Sequence, residues 1–416
     1  SAGHLELARE IARQSITLLK NEGGLLPLKK DTGTIAVLGP GADRAVLGDY
    51  TPDGKTGVSI LEGIRAAVSP GTRVLHSRAC TFLGDRATPF HPGMLIDEEG
   101  RPGLTGRYYN GRVPEGEAVA VRCDQMINFN WIFAKPHPDL DAGCFSAVWT
   151  GYVVMPSTFE GGIGFNTQDS MRLYVDGELL LDGWGEDKYA NRMVDFHFER
   201  GRKYAVRIEF TNDQRAAQVV FGYCEGREDF SEAVEMARKA DVAIVCVGDS
   251  TETCGENFDR VSLDLPGRQL DFVKAVRDAG TPVVLVIQSG RPVTAVWEQE
   301  NIPAILEAWF PGEEGGHAVA ETLFGENNPS GRLPMTFPKH VGQIPCHYSR
   351  RPGGGRRYVE MNWLPLYPFG YGLSYTAFAY GDLKLSAGKI TAGEPIGVSF
   401  TVTNTGSMRG TAVPQI

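Results

Sequence analysis

Between residues 252 and 260 the chain places Glu252, Glu256, Asp259 and Arg260, four ionisable side chains in nine residues. That is more ionisable chemistry than a connector needs. A carboxyl group here is a candidate general acid/base, a side chain that gives a proton to a reacting group or takes one from it. The plain alternative is a solvated polar loop in which Arg260 pairs with Asp259, because loops collect charge in any case. Cys254 lies in the same stretch, but no histidine stands beside it to serve as a base, so the residue types favour carboxyl over thiol chemistry.

Such a loop needs a rigid element to hold it. Residues 242–247, Val-Ala-Ile-Val-Cys-Val, are continuously apolar and mostly β-branched. This predicts a strand buried on both faces, as in a parallel sheet covered by helices, and ligands bind at the carboxyl ends of such strands. Similar runs at 34–40, 73–76, 282–287 and 304–308 predict further strands. Between them lie helical patterns at 59–65, 230–240, 269–279 and 317–323. A first amphipathic helix is predicted over 4–20, where Leu5, Ala8, Ile11, Ala12, Ile16 and Leu19 share one face and Gly23-Gly24 supplies a stop. Strand, helix, strand implies right-handed βαβ units.

At about Pro102 the texture changes. From 104 to 223 short alternating runs replace helical periodicity, and Asp176-Gly177 between residues 172–175 and 178–181 is a two-residue hairpin signal. The expected architecture is therefore α/β plus all-β. An α/β sandwich domain takes 1–101 and 224–345, an inserted β-sandwich takes 102–223, a linker runs over 346–376, and a truncated β domain fills 377–416.

At 416 residues the chain exceeds one ordinary core, and its net charge of -10 argues against a nucleic-acid partner. No apolar run is long enough to span a membrane as a helix. Seven scattered cysteines, an odd number, indicate neither a disulfide framework nor a zinc site. No cofactor is expected. The chain opens at Ser1 without a signal-peptide pattern and stops inside a strand-like stretch, so it reads as a piece of a longer protein whose compartment is not legible.

Five motifs in order carry a resemblance. They are Leu18-Leu19-Lys20-Asn21-Glu22 with Leu25-Leu26-Pro27-Leu28; Glu256-Asn257-Phe258-Asp259-Arg260 followed by Leu265-Pro266-Gly267-Arg268-Gln269; residues 309–316, Trp-Phe-Pro-Gly-Glu-Glu-Gly-Gly; residues 328–338, Asn-Pro-Ser-Gly-Arg-Leu-Pro-Met-Thr-Phe-Pro; and residues 367–375, Tyr-Pro-Phe-Gly-Tyr-Gly-Leu-Ser-Tyr. Together the chain closely resembles the C-terminal half of glycoside hydrolase family 3. Its inserted region resembles a protective-antigen-type carbohydrate-binding domain, and its tail a fibronectin type III-like domain.

The resemblance implies an (α/β)6 sandwich that works with a (β/α)8 barrel. That barrel carries the nucleophilic Asp, and no segment here supplies its eight repeats or a nucleophile. It is expected on the same longer protein or an associated chain, so this chain alone should be inactive. The implied activity is that of a retaining, exo-acting β-glucosidase removing β-linked glucose from oligosaccharides or glycosides. A β-xylosidase or other β-glycosidase of the family is the alternative, and a non-catalytic carbohydrate-binding fragment is the alternative of another class.

In such a mechanism the acid and the nucleophile stand about 5 to 5.5 Å apart. Glu256 matches the family's acid/base just before Gly-(aromatic)-Asp-Arg, although Asn257 replaces the Gly. Glu252 is the runner-up, since some relatives place the acid further upstream. Asp259 and Arg260 are expected to brace the loop as an ion pair. In the insert, Trp131, Phe133 and Trp184 are candidate sugar-stacking faces beside the aglycone. Calcium is not expected there, because Gln168-Asp169 stands where lectin-like relatives have two aspartates and a hard cation wants both charges.

Overall fold

Alternate side chains along the apolar run at 242–247 go to opposite cores, and this sorting organises the first of two compact units. The computed structural model describes the 416 residues other than 49, 52–54, 85–86, 132–133, 142, 168, 186–189, 213–216, 225–227, 252, 257 and 350–357. One unit comprises Ser1–Gly84 with Phe230–Ile416, the other Asp85–Asp229.

In the first unit the strands are β1 (Thr17–Asn21), β2 (Thr34–Leu38), β3 (Arg73–Ser77), β4 (Val242–Gly248), β5 (Val283–Gln288) and β6 (Ala304–Glu307). They form a sheet in the order β1-β6-β5-β4-β2-β3, parallel except for β1, which runs antiparallel to β6. The helices are α1 (Ala2–Ser15), α2 (Ile60–Ala67), α3 (Ser231–Arg238), α4 (Gln269–Asp278), α5 (Val296–Asn301) and α6 (Gly315–Leu323).

Every residue of β4 is buried. Ile244 and Cys246 share one core with Ala12 of α1, Ile64 of α2 and Val319 of α6. Ala243, Val245 and Val247 share the other with Ala237 of α3 and with Phe272 and Val276 of α4. Because the side-chain period of a strand is two, a one-residue slip would exchange the two sets, so the packing fixes the register. The entry to α2 is equally specified: Ser59 Oγ accepts from Glu62 N, and Glu62 accepts from Ser59 N in return, a reciprocal cap that satisfies otherwise orphaned donors.

Two local expectations differ from this arrangement. The helix expected over 4–20 ends at Ser15, and residues 17–21 are β1. Ile16, Thr17, Leu18 and Leu19 are all buried, which an edge strand covered on both sides allows and an amphipathic helix does not; tertiary pairing with β6 overrides the helical spacing. Helix α5 has no counterpart in the sequence reading.

In the second unit two antiparallel sheets share one aromatic-rich core containing Phe90, Tyr108, Phe145, Trp149, Phe210 and Phe221. The hairpin signal is realised: Asp176 and Gly177, both at positive φ, join Ser170–Val175 to Glu178–Asp182. The unit is wider than the 102–223 expected. Thr88–Pro89 pairs with Gln218–Cys224, Leu95–Ile96 pairs with Phe145–Val154, and Phe90 and Leu95 enter the core.

The stretch assigned to a linker is packed in part. Leu373 N donates to Leu18 O at 2.8 Å, Tyr371 OH to Leu19 O at 3.1 Å and Tyr375 OH to Thr322 O at 2.8 Å, all within the first unit. Beyond it, Phe378–Leu385 and Val398–Asn404 form an antiparallel pair whose Leu383 and Leu385 are exposed.

Candidate active site

Strand β4 ends at Gly248, and there only glycine fits. Its φ is +137°, and a Cβ would lie 1.9 Å from the Gln288 carbonyl oxygen. The buried side chain of Gln269, at the start of α4, pairs with both backbone groups of Gly248: Gly248 N donates to Oε1 at 2.8 Å, and Nε2 donates to Gly248 O at 2.9 Å. Thus the Leu-Pro-Gly-Arg-Gln motif closes the far root of the loop that begins at residue 249.

The near root is Asp249, which is fully buried. Its Oδ2 lies 2.9 Å from Arg291 Nε, its Oδ1 accepts from Arg291 Nη2 at 3.2 Å, and Arg260 Nη1 lies 3.7 Å from Oδ1. Thr253 Oγ1 donates to the same Oδ1 at 3.0 Å, and Arg260 Nη1 donates to Thr253 O at 2.8 Å. Arg291 also donates to Leu263 O at 2.7 Å and Asp264 O at 3.0 Å. Burial and the neighbouring Arg291 charge pull the Arg260 guanidinium below its ordinary pKa, and the Asp249 carboxylate opposes that pull. Two guanidiniums brought this close in a half-dry site need the shared carboxylate between them.

From this anchored base Glu256 projects into solvent, where it accepts a hydrogen bond from Tyr50 OH. Phe258 and Asp259 are exposed beside it. The expected brace between Asp259 and Arg260 is not formed among the described residues: Arg260 turns inward to Asp249, and Asp259 is exposed. Glu252, the runner-up acid, lies outside the described residues. Burial, with the Asp249 charge, pushes the Cys254 thiol above its ordinary pKa, which disfavours a thiolate nucleophile.

A second buried acid sits at the end of β6. Glu307 is fully buried, and its Oε1 accepts from Trp309 N at 3.0 Å and from Ser289 Oγ at 3.2 Å. Burial first, and the Asp249 charge as well, push its pKa well above the usual carboxylate range, against the hydrogen bonds from Trp309 and Ser289. Asp249, Ser289 with Arg291, and Glu307 therefore lie at the ends of three adjacent parallel strands. Sequence reasoning missed this set; the available signal was a polar residue within two positions of the end of each of three apolar runs.

The stacking candidates separate. Trp131 is a core residue and not a platform: it is 7% exposed, stacked on Phe129 with centroids 4.6 Å apart and edge-on to Tyr108 and Phe145. Trp184 is half-buried, with the Arg172 guanidinium 5.0 Å from its ring centre. Phe133 and Gln168 lie outside the described residues. Among the described residues no group of three or more His, Cys, Asp or Glu is placed to hold a metal ion, and no helix is long and apolar enough to cross a membrane.

A parallel α/β sheet with a charged, anchored loop at its carboxyl edge is the layout of a ligand-handling domain, and comparison with known proteins makes this specific. Residues 16–375 match the glycosyl hydrolase family 3 C-terminal domain, and the chain belongs to that family. It is 34% identical over 453 aligned residues to a beta-glucosidase of Rhizobium radiobacter, an alignment covering 99% of this chain and 53% of that protein. It is 31% identical over 432 residues to the xylan 1,4-beta-xylosidase of Xylanibacter ruminicola, covering 99% and 49%. The crystal structure of the beta-glucosidase from Kluyveromyces marxianus in complex with glucose superposes with a TM-score of 0.60 at 27% identity, covering 98% of this chain and 52% of that one. The chain thus spans about half the length of the curated relatives it matches.

Proposed function

We propose that this chain is the acid/base-bearing part of a retaining, exo-acting β-glucosidase, completed by a (β/α)8 barrel that supplies the nucleophilic Asp. The observation that carries the reading is the placement of Glu256. It is an exposed carboxyl on a loop whose two roots are fixed at the carboxyl end of the central strand.

In the proposed cycle the barrel Asp attacks the anomeric carbon while Glu256 gives its proton to the departing glycosidic oxygen. The leaving group departs as an alcohol. Glu256, now a carboxylate, takes a proton from water, which opens the covalent intermediate and releases glucose with its configuration retained; the two carboxyls stand about 5 to 5.5 Å apart throughout. Arg260 has no part in proton transfer, since it is committed to Asp249 and the loop backbone. Trp184 remains a candidate contact for the aglycone. The likeness to a xylosidase supports a second reading of the same chemistry, a β-xylosidase, which would differ in the sugar accepted and not in the residues of this loop.

The test is assembly. The purified 416-residue chain should give no turnover of an aryl β-glucoside, and the chain combined with its barrel half should give steady turnover. Comparing aryl β-glucoside with aryl β-xyloside then chooses between the two readings, and steady turnover by the chain alone contradicts both.

A further inference from the structure

We propose that Asp249 is a positioning residue for the acid/base loop: by holding Arg260, Arg291 and Thr253 on one carboxylate, it fixes where that loop presents its acid. The inference rests on the reading that the acid lies on the loop following β4.

The loop leaves the sheet at residue 249 and meets it again through Arg260, so Asp249 touches both stems of the segment that carries Glu256. The outgoing stem is held by Thr253 Oγ1, which donates to Asp249 Oδ1 and accepts from Ser250 N at 3.1 Å. The returning stem is held by Arg260, whose Nη1 reaches both Thr253 O and the Asp249 carboxylate. Arg291 ties the same carboxylate to the backbone of Leu263 and Asp264, just beyond the returning stem. Asp249 itself cannot drift, because its N donates to Gln288 O at 2.7 Å on the neighbouring strand and its side chain is fully buried.

Replacing the carboxylate by an amide leaves two guanidiniums facing each other, with side-chain exposures of only 23% and 11%. Their separation opens the ring formed by residues 249, 253 and 260 and moves the carboxyl between them. A general acid displaced by about 1 Å loses on the order of a hundredfold in rate. That loss falls on the step that needs a proton, whereas a residue that merely stabilises the fold lowers all substrates together.

The experiment uses the assembled enzyme, this chain together with its barrel half. Asp249→Asn, Arg260→Lys and Glu256→Ala are each assayed on an alkyl β-glucoside, whose leaving group needs a proton, and on a dinitrophenyl β-glucoside, whose leaving group does not. For Asp249→Asn the ratio of kcat/KM between the two substrates should shift by roughly a hundredfold against the alkyl glucoside. Arg260→Lys, which keeps the charge but not the reach, should shift it by roughly tenfold in the same sense. If Asp249→Asn does not fold, Arg260→Lys decides alone by the same ratio. Equal losses on both substrates, or no loss, overturn the inference. Should Glu256→Ala shift the ratio while neither other variant does, the role of Asp249 fails and the acid assignment stands. Should Asp249→Asn and Arg260→Lys shift it while Glu256→Ala does not, the positioning role holds and the acid is another group on the loop, with Glu252 the candidate.

Discussion

Asp124 in the β unit and Asp249 in the α/β unit are both buried, and the two are put to opposite use. In the β unit Asp124 accepts from Tyr108 OH at 2.6 Å, Trp149 Nε1 at 2.8 Å and Arg122 Nε at 2.7 Å. Those partners sit on three strands of one sheet, so the carboxylate ties the strands of a core together. In the α/β unit Asp249 holds Thr253 and Arg260 of one loop, and that loop carries an exposed carboxyl between them. A buried carboxylate is therefore not a functional sign in itself. What matters is whether the atoms it fixes are part of the packed lattice or lead out of it.

The largest effect that sharpens this contrast is on the closed site. Asp124→Ala leaves a buried hydroxyl and an indole N–H without their acceptor and should lower the stability of the whole chain by roughly 3 kcal/mol, read by denaturant unfolding. A change below about 1 kcal/mol would show that the β unit does not rely on Asp124.

A further buried acid is Glu298 in α5. Burial pushes its carboxyl up to about 7 from an ordinary 4.5. The folded chain then holds a proton that the unfolded chain releases near 4.5, so stability falls as pH rises from about 4.5 to about 7 and stays low above that. Glu298→Gln should flatten this decline and raise stability above neutral pH by on the order of 2 kcal/mol, measured by unfolding across the pH range.

The smallest effect concerns Glu321, which pairs α6 to Arg9 and Arg13 of α1. Both arginines are about a quarter exposed, so solvent screens the pairs, and Glu321→Ala should cost about 1 to 2 kcal/mol. The arginines hold the Glu321 carboxyl below its ordinary pKa despite its burial. The contribution is thus present above about 4.5 and lost as pH falls below it, opposite in sign to Glu298.

Local patterns carried the parallel strands into the sequence reading, because β2, β4, β5 and β6 are continuous apolar runs that only a doubly covered sheet accommodates. The Asp176-Gly177 turn was legible for a similar reason, since few residue pairs accept two positive φ angles. Non-local pairing was not legible. Asp249 and Arg291 are far apart in the chain, and nothing near Asp249 announces its partner, whereas the adjacent Asp259 and Arg260 suggested a brace although Arg260 turns instead to Asp249. Trp131 shows the same limit for aromatic residues: an indole that fills a core and one that stacks on a sugar look alike until the neighbouring strands are placed. Residues 17–21 fit a helical period and a buried edge strand equally, and only their pairing with β6 decides between them.

The central claim is that Glu256 is the acid/base, and one measurement addresses it directly. In the assembled enzyme, Glu256→Ala is given a dinitrophenyl β-glucoside with and without azide, and the product is examined for sugar configuration. Formation of the glycosyl-enzyme should persist, because this leaving group departs without a proton. Breakdown to glucose should slow by roughly a hundredfold or more for want of a base. Azide, which needs no base, should restore turnover and yield a glucosyl azide of retained β configuration. If Glu256→Ala turns over normally without azide, while Glu252→Ala stalls and is rescued by it, the assignment of Glu256 is contradicted.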